Sequence, residues 1–355
     1  MRALLGVFLL LLTEIARRIV GEVWRGRKEG LVVVPGLGRK DRLDTVVNNI
    51  RNLEGVLRSK RWDCIIYTYA QREFVEADAY ARYFWSNTME LKYLSSLCTI
   101  VENPGKRVTE HLHMVQPALI RSVYEYVFVL LDDCKIESME SFQLDGMVSI
   151  MKENQLTVAS PKIVNANKGG GQAFRSIMYA DAPQGVQSGS PGYVVSFIEI
   201  FALVMTMDAY TALWELLCPS VNPYGWGYDF WYNNYAKGRV KGHKMGIVSR
   251  YSLRHEQVMD DVSSTGRSDT VKKEDKWQAL VVQERYYQHH YGTRLHKFRE
   301  TLDLRNFSWN GAVLGFLRPV PHALHRSPST HTAQTESRLE FLDTPKGRAA
   351  SGTVH

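Results

Sequence analysis

The stretch that decides the fold is residues 126–133, Tyr-Val-Phe-Val-Leu-Leu-Asp-Asp, in which six apolar residues run directly into two carboxylates. A short, unbroken apolar run of this kind is typical of a strand that is buried on both faces of a parallel sheet. Ligands of open α/β sheets bind beyond the carboxyl ends of the strands. The polar tip after Leu131 is therefore a candidate binding site.

Further apolar runs lie on both sides of this strand, and they alternate with segments in which apolar residues recur every three or four positions. We predict strands at Leu31–Val34, Cys64–Tyr69, Cys98–Val101, Leu156–Ala159 and Tyr193–Val204, the last with Glu199 embedded in it. Repeated alternation predicts an α/β fold, with a mostly parallel sheet flanked by helices in a single main domain.

Composition limits the classes of partner. The chain has 355 residues, 45% of them hydrophobic, with a formal net charge of +7 and a pI near 9.1. The positive charge suits an anionic ligand such as a nucleotide diphosphate, or an anionic membrane, although many basic residues lie near the chain ends, where the charge would be diffuse. No basic-aromatic stripe or known module indicates nucleic-acid binding.

The four cysteines form no C-x-x-C pair, so they indicate either one or two disulfides or buried thiols rather than structural zinc.

The N-terminus carries ten apolar residues, 3–12, which is the length of the hydrophobic region of a signal peptide and is shorter than a membrane span. A signal peptide, a short signal anchor and a cytosolic amphipathic helix are the alternatives. A sequon at Asn306-Phe-Ser308 agrees with the first two. We expect a protein of the Golgi or endoplasmic reticulum lumen, or a secreted one, that can associate with a membrane through its N-terminus. A cytoplasmic location stays open.

Four segments follow from these patterns. Residues 1–29 form the signal peptide or anchor with a linker, and residues 30–257 form the main domain. Residues 258–318 form a polar excursion and a C-terminal helical extension, and residues 319–355 are expected to be a disordered tail, because Pro, His, Ser and Thr dominate there. Within the main domain, the Gly- and Ser-rich residues 161–192 are predicted to be a long loop.

Residues 222–231, Asn-Pro-Tyr-Gly-Trp-Gly-Tyr-Asp-Phe-Trp, form the most distinctive motif for chemistry. Gly225 and Gly227 allow the backbone to turn sharply and to approach a bound group. Trp226 offers a flat apolar surface for a sugar ring. Asp229 could accept a proton, or it could cap the helix that follows.

Three other groups of residues are candidates for a site. Asp132 and Asp133 could hold a hard divalent cation together with phosphate oxygens, or could cap the next helix. His255 ends a β-like stretch, and an isolated histidine of this kind is usually structural. Gly36 and Gly38 follow the first strand as in a dinucleotide fingerprint, but Asp41 takes the place of the third glycine, which leaves a nucleotide-binding oxidoreductase as a minor alternative.

In their order along the chain, four motifs resemble a plant and algal family of glycosyltransferase-like proteins of unassigned function, with a GT-A type fold. The motifs are Leu130-Leu-Asp-Asp133, Ile198-Glu-Ile-Phe-Ala-Leu-Val-Met-Thr-Met-Asp-Ala-Tyr210, Tyr224-Gly-Trp-Gly-Tyr-Asp229 and Met245-Gly-Ile-Val-Ser-Arg-Tyr-Ser-Leu-Arg-His255. The resemblance covers about residues 30–257. It implies transfer of a sugar from a nucleotide-diphosphate sugar to a hydroxyl of a glycan or another acceptor.

The resemblance also implies roles for individual residues. Asp133 corresponds to the last acid of a DxD-like motif that binds Mn²⁺ or Mg²⁺, His255 to a further metal ligand, and Asp229 to the general base. The candidate substrate-binding residues are Trp226, Gly225, Gly227, Glu199, Gly36, Arg39 and Asp132. The chain departs from the family pattern where Leu131 replaces the first acid, where Tyr224 replaces a histidine and where Ser249 replaces an aspartate. A catalytically inactive relative that binds a glycan or a sugar nucleotide is therefore the alternative function.

Overall fold

The computed structural model describes residues 27–38, 40–103, 107–165, 189–225, 227–256, 273–292 and 313–319. The predicted signal or anchor and the predicted tail lie outside these residues, apart from a few residues at their inner ends. Across the described ranges, none of the helices combines the length and the apolarity that crossing a membrane would require.

The described residues form ten strands and nine α-helices. The strands are β1 (Lys28–Leu37), β2 (Trp62–Thr68), β3 (Thr99–Glu102), β4 (Tyr124–Leu130), β5 (Cys134–Lys135), β6 (Val158–Asn165), β7 (Tyr193–Val195), β8 (Ala202–Thr206), β9 (Met245–His255) and β10 (Val313–Phe316). The helices are α1 (Lys40–Arg58), α2 (Ala79–Ser86), α3 (Thr88–Leu97), α4 (Val108–Met114), α5 (Pro117–Ile120), α6 (Leu144–Asn154), α7 (Met207–Leu216), α8 (Asp229–Lys237) and α9 (Lys273–Tyr291).

The strands form one sheet in the order β10-β7-β9-β6-β8-β4-β1-β2-β3, with β5 paired to β9. β1 pairs in parallel with both β2 and β4, and β6 pairs in parallel with β9. The pairings give β5, β7 and β8 one direction and the other strands the opposite direction. The predicted α/β fold, with a mostly parallel sheet flanked by helices, is confirmed.

The strands at the centre of the sheet are buried on both faces, because their residues are apolar. In β1 the residues from Leu31 to Val34 are at most 1% exposed, and Val127–Leu130 of β4 are fully buried. α1 adds a second apolar layer, since its residues Val46 and Ile50 are also fully buried. These runs place the carboxyl ends of β1, β4 and β9 at one edge of the sheet, where polar residues follow.

The predicted single strand Tyr193–Val204 is wrong. β7 and β8 are separate strands, and β9 and β6 lie between them in the sheet. The connection between them must therefore cross from one part of the sheet to another, and Glu199 lies in this connection rather than in a strand. The predicted loop 161–192 is also corrected at its start, because β6 continues to Asn165 through its pairing with β9.

One of the open alternatives for the cysteines is resolved. Cys64 of β2 and Cys98, which precedes β3, form a disulfide with a Cα–Cα distance of 4.5 Å, whereas Cys134 and Cys218 are free thiols. The parallel register of β2 and β3 pairs Ile65 with Thr99, and it thereby brings the two cysteines side by side.

Candidate active site at the carboxyl edge of the sheet

Asp133 and His255 are brought together by the ends of two strands. β4 ends at Leu130 and the chain turns through Asp132 and Asp133 into β5, whose Cys134 is in register with His255 at the end of β9. The Nε2 atom of His255 lies 3.1 Å from the Oδ2 atom of Asp133. The side chains are 8% and 26% exposed, respectively. Two residues that are far apart in the sequence therefore form one polar pair.

The surroundings of Asp133 favour its charged form. Burial would raise the pKa of this carboxyl, but the hydrogen bond from His255 and the charges of His255 and Arg42 lower the pKa below its ordinary value. Burial, followed by the charge of Asp133, raises the pKa of the neighbouring Cys134 thiol well above its ordinary value. At neutral pH the site therefore presents a carboxylate beside a neutral thiol.

Glu199 and Asp229 form a second acidic pair. Burial, and to a smaller extent the nearby charge of Asp229, raises the pKa of Glu199 to about 8. The Oε2 atom of Glu199 is buried and has no hydrogen-bond partner among the described residues. Glu199 is thus held protonated at neutral pH, and it can donate a hydrogen bond.

The connection between β7 and β8 links the two pairs. Its Phe201 ring contacts the ring of His255, with centroids 4.6 Å apart, and its Phe201 carbonyl accepts a 2.9 Å hydrogen bond from the Leu131 amide. At its other end, Phe197 stacks on Phe230, the residue after Asp229. The segment that carries Glu199 therefore touches the neighbours of Asp229 at one end and His255 at the other.

The loop before α8 has the backbone that the glycine motif predicts. Gly225 and Gly227 have φ values of +77° and +95°, in the left-handed region that favours glycine. A Cβ atom at Gly227 would lie 2.4 Å from the Cδ1 atom of Leu280 on α9. Asp229 is the first residue of α8, where the helix dipole favours a carboxylate, and its Oδ1 atom accepts a 3.0 Å hydrogen bond from the Phe230 amide.

Of the remaining predicted site residues, Gly36 lies at the carboxyl end of β1. Its φ is +106°, and an added Cβ atom would lie 2.7 Å from the Tyr69 hydroxyl, so a side chain would not fit there. Asp132 is partly exposed in the turn after β4. Arg39 and Trp226 lie outside the described residues.

Sequence reasoning missed the residues that support the first pair from α1. Arg42 is 6% exposed, and its charge acts on Asp133. Asn49 donates a 2.7 Å hydrogen bond to the Cys134 carbonyl and accepts one from the Ile136 amide. Thr45 donates to Glu256, whose amide donates to the Asp133 carbonyl. The sequence does contain a pattern that could have indicated them. Residues 42, 45 and 49 are polar, although they lie on the same side of the helix as the apolar Val46.

A divalent cation could bind the first pair by taking the place of the proton between His255 Nε2 and Asp133 Oδ2. The 3.1 Å separation of Asp133 Oδ2 and His255 Nε2 is close to the spacing of about 3 Å between neighbouring ligands of an ion bound at about 2.1 Å. Within the described part of the chain, no group of three or more His, Cys, Asp or Glu side chains is arranged to hold a metal. Phosphate oxygens and water commonly supply further ligands to Mg²⁺.

Several solved structures resemble this chain at low identity. A structure of GalNAc-T7 with UDP, GalNAc and Mn²⁺ has 13% identity and a TM-score of 0.48, covering 79% of this chain and 54% of that one. The mannosyltransferase PcManGT from Pyrobaculum calidifontis, in complex with GDP-Man and Mn²⁺, has 13% identity and a TM-score of 0.40, covering 67% and 59%. S. aureus TarS 1-349 with UDP has 10% identity and a TM-score of 0.39, covering 75% and 73%. The chain thus spans about half the length of the first of these structures.

A search of curated proteins found none that matches this chain. A family model, by contrast, matches residues 110–301, which include the Asp133–His255 pair, the Glu199–Asp229 pair, the glycine motif and α9. This match confirms the expectation that the chain belongs to a family without an assigned function. Because the match covers more than half of the 355 residues, the chain belongs to the family described as "Protein of unknown function (DUF707)".

Proposed function

We propose that this protein is a glycosyltransferase that moves a sugar from a nucleotide-diphosphate sugar to an acceptor hydroxyl. The observation that carries the proposal is the joining of two chemically different pairs by one connection. Asp133 with His255 offers a carboxylate oxygen and an imidazole nitrogen to a cation, and Glu199 with Asp229 is an acidic pair suited to hydroxyl groups. In glycosyl transfer negative charge develops on the leaving diphosphate, which a cation can stabilise, and the incoming hydroxyl loses a proton, which a carboxylate can accept.

On the donor side, Asp133 and His255 would hold Mn²⁺ or Mg²⁺. When bound, the cation supplies positive charge to the leaving diphosphate. Asp132, Gly36 and Arg39 are proposed to contact the donor, since the ends of β1 and β4 are neighbours at the same edge of the sheet. Leu131 occupies the position of the first acid of the triplet, and its amide donates a hydrogen bond to the Phe201 carbonyl in the connection. The protein therefore offers fewer ligands to the cation than the related sequence pattern does.

On the acceptor side, Asp229 is the proposed general base. The acceptor oxygen forms a bond to the anomeric carbon as the bond from that carbon to the diphosphate oxygen breaks, and the hydroxyl proton passes to the Asp229 carboxylate. Glu199 is protonated at neutral pH and cannot take this proton, but it can donate a hydrogen bond to a substrate oxygen. Trp226, with Gly225 and Gly227 beside it, is proposed to pack against the acceptor.

The test is a comparison of sugar transfer by the wild type and two variants, Asp229→Asn and Asp133→Asn, with a panel of nucleotide-diphosphate sugars and Mn²⁺. We expect Asp229→Asn to lower kcat by about 10²–10⁴-fold, the usual contribution of a general base, with little change in donor affinity. Asp133→Asn should raise the Mn²⁺ concentration needed for half activity. Glu153→Gln, on the exposed surface of α6, is the control. Equal activity of all four proteins would contradict the assigned roles.

A catalytically inactive relative that binds a sugar nucleotide or a glycan is the second candidate. The observation that favours it is the replacement of the first acid of the family triplet by Leu131, which packs against the core. Calorimetric titration with UDP-sugars and GDP-sugars separates the two candidates. Binding with a micromolar Kd in the absence of any hydrolysis or transfer would support the recognition protein.

We further propose that the protein works in the secretory pathway or outside the cell and that its N-terminus allows membrane association. The Cys64–Cys98 disulfide supports an oxidising compartment, because disulfides persist in the endoplasmic reticulum and beyond but are rare in the cytosol. Expression with a fluorescent tag at the C-terminus, followed by carbonate extraction of membranes, tests both parts. A soluble protein in the cytosol with reduced Cys64 would contradict the proposal.

A further inference from the structure

The loop that leads into Asp229 at the start of α8 is held from one side by α9. Asn222 is 1% exposed, and its Nδ2 atom donates a 2.9 Å hydrogen bond to the Oε1 atom of Gln283, which is fully buried. An amide buried this completely costs free energy unless it is paired. The partner that pairs Asn222 lies 61 residues away in the sequence, so this bond fixes α9 and the loop relative to each other.

Gln283 is in turn fixed by its own helix and by α7. Its Nε2 atom donates to the Tyr287 hydroxyl over 3.3 Å, and the Tyr287 hydroxyl donates to the Leu216 carbonyl over 2.5 Å. Leu216 is the last residue of α7, which precedes the loop. The chain of hydrogen bonds therefore runs from the end of one helix, through α9, back to Asn222.

The same loop is held on its other side by α4. The Asn222 carbonyl accepts hydrogen bonds from the Thr109 hydroxyl at 3.1 Å and from the Tyr228 hydroxyl at 2.7 Å. Tyr228, the residue before Asp229, is fully buried. Asn222 thus connects Gln283 directly to the neighbour of Asp229.

Close packing reinforces these bonds. Gly227 lies so near α9 that an added Cβ atom would be 2.4 Å from Leu280 and 3.4 Å from the Oε1 atom of Gln283. Trp231 of α8 packs edge-on against Tyr287, with ring centroids 5.2 Å apart. The first turn of α8 and the glycine loop therefore rest on one face of α9, which bears Leu280, Gln283 and Tyr287.

We propose that Gln283 is a positioning residue for the acceptor side of the site. Through Asn222 and Tyr228 it fixes the loop from which Asp229 projects, so that α9 belongs to the functional unit although it contributes no reacting group. The inference rests on the proposed function for its effect on catalysis, but the positioning itself is a property of the loop that can be measured without activity. Displacement of a catalytic group by about 1 Å can lower a rate by about 10²-fold.

The experiment uses the full chain with Gln283→Leu, which keeps the size of the side chain but removes both hydrogen bonds. Gln288→Leu, on the exposed side of the same helix, is the matched control. Hydrogen–deuterium exchange of a peptide that covers residues 222–229 gives the first readout. We expect exchange there to be at least tenfold faster in Gln283→Leu and unchanged in Gln288→Leu.

Steady-state kinetics gives the second readout. We expect kcat of Gln283→Leu to fall about 10–100-fold while KM for the donor stays within about twofold, because the donor side is built from other elements. If Gln283 only stabilised the fold, Gln283→Leu would instead lower the fraction of active protein, and amide exchange would become faster throughout the sheet. If Gln283→Leu does not fold, Gln283→Asn keeps the amide at a shorter reach and Asn222→Ala removes the partner, and either one should speed exchange locally.

The outcomes separate the two proposals. Unchanged exchange of residues 222–229 in folded Gln283→Leu would overturn the positioning role, even if the wild type is an active transferase. Faster local exchange in a protein whose wild type transfers no sugar would support the positioning role and count against the proposed function. Equal losses of kcat in Gln283→Leu and Gln288→Leu would also overturn the positioning role.

Discussion

Glu199 is an acid in surroundings that disfavour its charge. Burial is the larger cause of its raised pKa and the charge of Asp229 is the smaller one. The position of Asp229 at the start of α8 lets the helix dipole stabilise that charge. One carboxyl of the pair is therefore held neutral, and its partner is the one placed to stay ionised. This division of roles suits a site in which one group donates a hydrogen bond and the other accepts a proton.

The pH dependence of stability follows from the pKa of Glu199. In the folded protein this pKa is about 8, against an ordinary value of 4.5. Between pH 4.5 and pH 8 the folded state binds the proton of Glu199 more tightly than the unfolded state does. The contribution of Glu199 to the free energy of unfolding is therefore fully present below about pH 4.5, and it is lost as the pH rises towards 8. We expect Glu199→Gln, which does not titrate, to remove this loss, which is at most about 5 kcal/mol at about 1.4 kcal/mol per pKa unit.

The measurement is the free energy of unfolding in urea at pH 5, 7 and 9. Glu199→Gln should be more stable than the wild type at pH 9 and similar to it at pH 5. Glu153→Gln, whose carboxyl is exposed, should follow the wild type at every pH. A wild type whose stability rises from pH 5 to pH 9 relative to Glu199→Gln would show that Glu199 is ionised in the folded protein.

Single residues could be predicted from the sequence where a motif has a fixed place at the end of a strand. Asp133 follows a strand whose apolar run is unmistakable, so a site was expected at the end of that strand. His255 ends a β-like stretch, and only the family resemblance assigned it to the same metal as Asp133. The surroundings of Glu199 could not be predicted in the same way. Its burial depends on how the connection between β7 and β8 crosses the sheet, and that path leaves no periodic pattern in the sequence.

At the scale of elements, the disulfide shows how strand pairing brings distant residues together. Cys64 and Cys98 are 34 residues apart, and no spacing rule pairs them. Only the neighbouring positions of β2 and β3 in the sheet place their side chains together. Strand pairing is a contact between distant segments, so the four cysteines by themselves allowed several pairings.

Removal of this disulfide should destabilise the fold. A cross-link that closes a loop of this length restricts the unfolded chain and contributes about 3–4 kcal/mol. We expect dithiothreitol to lower the urea midpoint of the wild type and to leave the midpoint of a Cys64→Ala/Cys98→Ala double variant unchanged. Cys218→Ala, which removes a free thiol, is the control and should respond as the wild type does. A wild-type midpoint that is insensitive to dithiothreitol would argue against the cross-link.

At the scale of the whole molecule, the fold class was predictable and the order of the strands was not. Alternation of apolar runs with helical patterns indicated an α/β sheet, because each strand needs a covering helix. The reversed directions of β7 and β8 were not predicted, since both were assigned to a single strand. The strand β10 was not predicted either. It is four residues long and contains a glycine, which weakens the sequence pattern of a strand.

β10 nevertheless closes one end of the sheet. It pairs antiparallel with β7, and the Leu317 amide after it donates to the Gly192 carbonyl. The Arg318 amide donates a 2.6 Å hydrogen bond to Asn154 Oδ1, and Asn154 Nδ2 donates to the Arg318 carbonyl. Asn154 is only 6% exposed, so these bonds satisfy a side chain that water can hardly reach. The C-terminal strand is therefore joined to α6 and β7, which lie far from it in the sequence.

Two truncated chains test this closure. A chain that ends at Pro319 keeps the contacts of β10 with the other described residues, and we expect its Tm to equal that of the full chain. A chain that ends at residue 312 loses these contacts and leaves the buried Asn154 side chain with the Ile150 carbonyl but without Arg318. It also exposes the backbone edge of β7, which can then pair with another molecule. We expect its Tm to fall by roughly 5–10 °C, from a loss of about 2–4 kcal/mol, and its aggregation to increase with concentration. Asn154→Ala in the full chain isolates the hydrogen bonds from the strand pairing, because it should lower Tm without promoting aggregation. If the two truncated chains had the same Tm and solubility, β10 would not contribute to the stability of the sheet, and the fold would depend on β1–β9 alone.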